Sequence, residues 1–81
     1  MKMYGSSLCP DCQDAMKKLA EKKISYDFCN ATNSTAELKE FCYFRDGHPE
    51  IYDEVRSRNG LGIPCFLLDD GTATLDISKV L

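Results

Sequence analysis

"KMYGSSLCPDCQDAMKKLAEKKISYDFC", Lys2 to Cys29, holds a strand, a helix and a second strand in succession. Lys2 to Tyr4 is a short candidate strand, closed by Gly5-Ser6-Ser7. Pro10 suits the first position of a helix, where its missing N–H costs nothing. From there Cys12, Ala15, Met16, Leu19 and Ala20 recur at helical spacing, while Asp14, Lys17, Lys18, Glu21 and Lys22 fall on the side facing water. Asp14 and Lys18 form a favourable four-apart pair. Ile24 to Cys29 alternates apolar and polar, which predicts a strand with Ile24, Tyr26 and Phe28 on one face. Strand-helix-strand in this order implies two parallel strands joined by a right-handed crossover.

The remainder extends that unit. Asn30 to Asn33 reads as a turn, and Ser34-Thr35-Ala36-Glu37 matches a capping box, in which hydroxyl and carboxylate satisfy each other's backbone donors. A second helix is predicted with Leu38, Phe41 and Cys42 inward and Tyr43 and Phe44 packed beside them, ending near Asp46-Gly47. Pro49 opens a short third helix with Ile51 and Val55 on one side, stopped at Asn59-Gly60. His48 before it reads as a turn residue rather than a ligand or base. Ile63 to Leu68 is a dense apolar strand. Asp70-Gly71 fits a two-residue hairpin turn with both residues at positive φ, and Thr72 to Leu75 returns as the last strand. The expected fold is a single α/β domain over residues 1–81, with a mixed four-stranded sheet and flanking helices.

Composition narrows the function. Hydrophobic residues make up 43% and charged residues 28%, the balance of a globular domain. No apolar run is long enough to cross a bilayer, so no membrane role is expected. The stretch MKMYGSS lacks the apolar core of a secretory signal, and a cytoplasmic location is the expectation. Net charge is −3 with both signs mixed along the chain, which argues against a nucleic-acid partner. Five cysteines, an odd number, do not suit a secreted disulfide scaffold. In a reducing compartment a close pair of thiols is catalytic or metal-binding more often than structural.

Cys9 and Cys12 are the pair in question. A structural zinc site wants four ligands, usually two close pairs, whereas Cys29, Cys42, Cys65 and His48 stand singly. Haem attachment needs His directly after the second Cys, and that position is Gln13. A redox pair fits better, because residues three apart at a helix start lie within disulfide reach. Cys9 falls at the helix N-cap, where free N–H groups and the helix dipole favour a thiolate. Cys12 falls one turn in, on the face of Met16 and Leu19. Cys9 is therefore read as the exposed nucleophile and Cys12 as the partly buried resolving thiol. Asp11 opposes the thiolate, and no Lys or Arg between Tyr4 and Asp14 offsets it. Cys65 reads as a buried small hydrophobe, with a third redox thiol as the alternative.

"YGSSLCPDC" followed by a helix, and "GLGIPCFLLDDG" some fifty residues later, resemble the glutaredoxins of the thioredoxin-fold superfamily over nearly the whole chain. The resemblance implies a thioredoxin-like fold with a truncated C-terminal helix, and thiol–disulfide exchange through Cys9 and Cys12. It also implies a cis Ile63–Pro64 bond, with Pro64 packed against the cysteine pair and the Ile63 backbone pairing with substrate. The expected partner is a disulfide-containing protein or a glutathione mixed disulfide. No tightly bound cofactor is expected, glutathione is at most a weak co-substrate, and glutathione-dependent iron–sulfur cluster binding is the alternative. Three departures bear on glutathione. Glutaredoxins often carry Lys at the position of Ser6 and an aromatic residue at that of Asp11, and their Gly-Gly would fall near Thr74-Leu75. The short tail from Asp76 to Leu81 leads to a further expectation of weak homodimerisation through sheet surface near Met16.

Overall fold

The computed structural model describes all 81 residues, Met1 to Leu81. The elements run β1 (Lys2–Gly5), α1 (Pro10–Glu21), β2 (Asp27–Asn30), α2 (Thr35–Asp46), α3 (Pro49–Ser57), β3 (Cys65–Leu67) and β4 (Ala73–Thr74), with a closing 3₁₀ turn at Ile77–Lys79. The sheet order is β2-β1-β3-β4. β1 pairs with β2 in parallel, Met3 opposite Phe28, and with β3 antiparallel, Met3 opposite Phe66. The β3–β4 hairpin is antiparallel. This is the expected α/β domain with a mixed four-stranded sheet. No helix is long and apolar enough to cross a membrane.

Alternation along the strands builds two apolar layers, because successive side chains leave opposite faces of a strand. Met3, Phe28 and Phe66 point to one side and meet Cys12, Ala15 and Leu19 of α1, with Ile77 and Val80 joining from the C-terminal turn. Tyr4, Cys29 and Cys65 point to the other and meet Phe41 and Phe44 of α2 and Tyr52 and Val55 of α3. Tyr4 stacks on Phe44 at 3.9 Å between centroids, and Tyr52 meets Phe41 edge-on at 6.3 Å. Such pairs contribute about 0.5–1.5 kcal/mol beyond the area they bury.

Several local expectations are corrected. β2 starts at Asp27 rather than Ile24, yet Ile24, Tyr26 and Phe28 all pack on the α1 side as their alternation requires. In α2 the buried residues are Phe41 and Phe44; Leu38, Cys42 and Tyr43 are exposed. All five are apolar, and the sheet covers only the stripe of a three-apart pair. Tyr52, not Ile51, fills the centre of α3's inner face. Ala20 faces water. The capping box is half made: the Glu37 N–H donates to Ser34 Oγ, but the Glu37 carboxylate accepts from the Asn30 N–H at 2.9 Å. β3 and β4 are shorter than predicted. Their connection is Asp69-Asp70-Gly71 with only Gly71 at positive φ, closed by Leu68 N–H donating to Thr72 O. A type I turn followed by one left-handed residue is the usual three-residue solution. After β4 the chain forms one 3₁₀ turn, Ile77–Lys79, where about one and a half α-helical turns were expected, and Ile77 and Val80 cover part of the layer where exposed sheet was expected.

Candidate active site

β1 ends at Gly5, and the chain reaches α1 through Ser6, Ser7 and Leu8. Short polar side chains hold this turn rather than apolar packing. The Leu8 N–H donates to Ser6 Oγ at 3.1 Å, Ser6 Oγ and Thr32 Oγ1 are 2.6 Å apart, and Thr32 Oγ1 donates to Asn30 Oδ1 at 3.0 Å. A consistent assignment has the Ser6 hydroxyl donating to Thr32. Asn30 also brackets Ser7, accepting from its N–H and donating to its Oγ, and Gln13 Nε2 donates to Ser7 O. Ser6 is 4% exposed, so its side chain is an interior brace.

That turn delivers Cys9 to the N-cap of α1 in extended conformation, φ −88° and ψ 123°. Its carbonyl accepts the first helical bond from Gln13, but its side chain caps nothing. The half-buried thiol is left at the positive end of the helix dipole. Cys12, one turn on, is fully buried between α1 and the sheet. Burial, with the neighbouring Cys9 thiol adding to it, pushes its thiol up to about 11. The Ser6 N–H, 3.4 Å from Cys12 Sγ, works the other way. A side chain on Gly5 would place its Cβ 2.8 Å from Cys12 Sγ, so the missing side chain makes room for the thiol. One sulfur is accessible; the other keeps its proton.

The Ile63–Pro64 bond is cis. Ile63 lies between both apolar layers and shares a cleft with Cys9; Pro64 shares a second cleft with Asp11, Asp14 and Ala15 of α1. The loop before them is anchored from the opposite layer. Tyr52 Oη donates to Gly62 O at 2.8 Å and Arg45 donates to Gly60 O at 3.0 Å. Gly62 sits at φ 76° against the Tyr52 ring, where a Cβ would lie 2.2 Å from Cε1. With Gly60 and Gly62 carbonyls held, the backbone N–H and C=O of Leu61 and Ile63 are left without partners in the chain.

Of the four site residues expected from sequence, Cys9, Cys12 and Ile63 fall in one apolar layer and Cys9 and Ile63 share a cleft, while Pro64 shares the second cleft with α1. Ser6, Asn30, Thr32, Arg45 and Tyr52 were not found by sequence reasoning. A Ser-Ser before the first cysteine and an Asn-x-Thr beginning at the last residue of β2 are the only local trace of the first three, and Arg45 and Tyr52 leave none. Cys65 lies across the sheet from Cys12, buried against Tyr52, with burial raising its thiol. Cys29, also interior, is pushed up to about 12 by burial. His48 is the N-cap of α3 and donates Nδ1–H to Phe44 O at 2.8 Å. No three His, Cys, Asp or Glu side chains cluster as a metal site would require.

The class defined so far is an α/β domain with two unequal thiols at a helix N-terminus facing an X–Pro loop. Its sequence is 32% identical over 78 residues to an uncharacterized protein of Haemophilus influenzae, covering 96% of this chain and 90% of that one, and the chain belongs to that protein's family. No family model and no solved structure matches it.

Proposed function

We propose that the domain is a thiol–disulfide oxidoreductase of glutaredoxin-like type, with its sheet and helices in a thioredoxin-like arrangement. The observation that carries the reading is the inequality of the two thiols: Cys9 is accessible at the N-cap of α1, and Cys12 is buried with its thiol held at about 11. Cys9 thiolate attacks one sulfur of a substrate disulfide. The S–S bond breaks, the second substrate sulfur leaves as thiolate and takes a proton, and a Cys9–substrate mixed disulfide forms. Cys12 then loses its proton and attacks Cys9 Sγ, expelling the first substrate thiol and leaving a Cys9–Cys12 disulfide. The substrate gains two electrons and the dithiol loses them. The unpartnered backbone of Ile63 is available to align an extended substrate next to Cys9.

The test is disulfide exchange with purified full-length variants. Cys12→Ser should accumulate a mixed disulfide with substrate, visible by mass on a non-reducing gel, because the first attack survives and the second does not. Cys9→Ser should exchange no faster than solution thiols. A Cys9→Ser protein with normal turnover would end the mechanism.

A further inference from the structure

The cleft beside Cys9 is about 320 Å³, and no charged side chain lines it. Ala31 and Phe41 form part of its wall, Ile63 lies at its junction with the X–Pro loop, and Leu8, Leu38 and Leu61 complete the apolar lining. Its two hydroxyls, Ser6 and Thr32, are engaged with each other, so the lining offers almost nothing polar to a ligand. The three leucines are 75%, 46% and 64% exposed. They come from three separate segments, and packing of the domain explains none of them. Grouped apolar side chains left in water around a cleft mark an interaction surface.

We propose that this cleft binds the apolar residues flanking the cysteine of a protein disulfide, making the substrate an extended, apolar polypeptide segment. The proposal rests on the redox reading above and names its substrate class. Three observations select that occupant. The cleft is continuous with the accessible sulfur, so whatever fills it is carried by the molecule that reacts. The free backbone groups of Leu61 and Ile63 border it, which suits a chain that pairs its own backbone there while its side chains enter the cleft. The lining has no cation, and Asp11 and Asp14 line the cleft on the Pro64 side with Arg58, which is already paired with Glu54 at 3.4 Å. A small anionic thiol gains little from such walls; an apolar peptide gains the burial of its side chains.

The experiment uses the pre-reduced full-length protein as sole reductant in single turnover. Two symmetric peptide disulfides are compared, one with Leu and one with Ser at the two positions on each side of the cysteine. The Leu peptide should be reduced at least tenfold faster, equivalent to about 1.4 kcal/mol. Leu61→Asp and Leu38→Asp should bring the ratio of the two rates towards one, whereas Tyr43→Asp, an exposed aromatic outside the cleft, should leave it unchanged. As a measurement independent of the variants, a Leu peptide with Ala in place of cysteine should shift the amide resonances of Ala31, Leu61 and Ile63 in the wild-type protein. Reduction of both peptides at rates within twofold would overturn the proposal and leave the redox reading standing. Reduction of neither would overturn both. Dimerisation abolished by Leu61→Asp, without any peptide preference, would assign the cleft to a second copy of the chain and overturn it too.

Discussion

Iodoacetamide reacts with thiolates, so its rate at each cysteine reports ionisation and access together. Cys12 is fully buried and its thiol is held at about 11. At pH 8 such a thiol is ionised to about one part in a thousand, against about a quarter for an ordinary cysteine near 8.5, a deficit of about 200-fold. Burial adds to this, because alkylation also waits for a local opening of α1 against the sheet. Cys42, exposed on α2, supplies an internal reference within the same chain. Mass-mapped labelling of the native protein at pH 8 should therefore modify Cys9 and Cys42 first, with Cys12 slower than Cys42 by at least two orders of magnitude. Between pH 8 and pH 10 the Cys12 rate should climb close to tenfold per unit, while that of an ordinary thiol levels off above about 8.5. In denaturant the five rates should converge. Labelling of Cys12 within tenfold of Cys42 at pH 8 would refute the burial argument and, with it, the division into attacking and resolving thiol.

Two further outcomes follow from the same packing. Gly5→Ala brings a methyl within 2.8 Å of Cys12 Sγ, and overpacking of this kind costs about 1–3 kcal/mol; urea denaturation should show it, and adding Cys12→Ala should recover part of the loss, whereas strictly additive effects would mean that the two groups do not collide. Stability should also fall in alkali: Cys12 and Cys29 are raised to about 11 and about 12 by burial. The folded state therefore holds protons that the unfolded chain releases from about pH 8.5, and the stabilisation present below that pH is lost as pH rises towards the folded values. A urea midpoint that is flat from pH 8 to pH 10.5 would contradict this.

Much of the fold is visible in the order of residues, because the forces that place it act over a few positions. The 3.6-residue recurrence of Cys12, Ala15 and Leu19, the proline at the start of α1 and the alternation of Ile24, Tyr26 and Phe28 each specify a local geometry and a buried face, and the structure keeps all three. The same locality puts Cys9 at a helix N-cap and Cys12 one turn below it. Where a local pattern is degenerate, tertiary contact decides. Leu38, Phe41, Cys42, Tyr43 and Phe44 offer α2 more apolar surface than one stripe can bury. The positions of β1 and α3 select Phe41 and Phe44, since Tyr4 and Tyr52 supply the rings they pack against. Long-range hydrogen bonds are likewise absent from any short window: Ser6 meets Thr32 across 26 residues, and Tyr52 reaches Gly62 from the far layer of the sheet. The apolar cleft beside Cys9 is the fullest case, since Leu8, Ala31, Leu38 and the loop carrying Leu61 and Ile63 come from separate segments. Sequence alone determined that two thiols stand at a helix start; only the closing of those segments around one sulfur decided what kind of surface a substrate meets there, because a cleft is a property of elements brought together and not of any one of them.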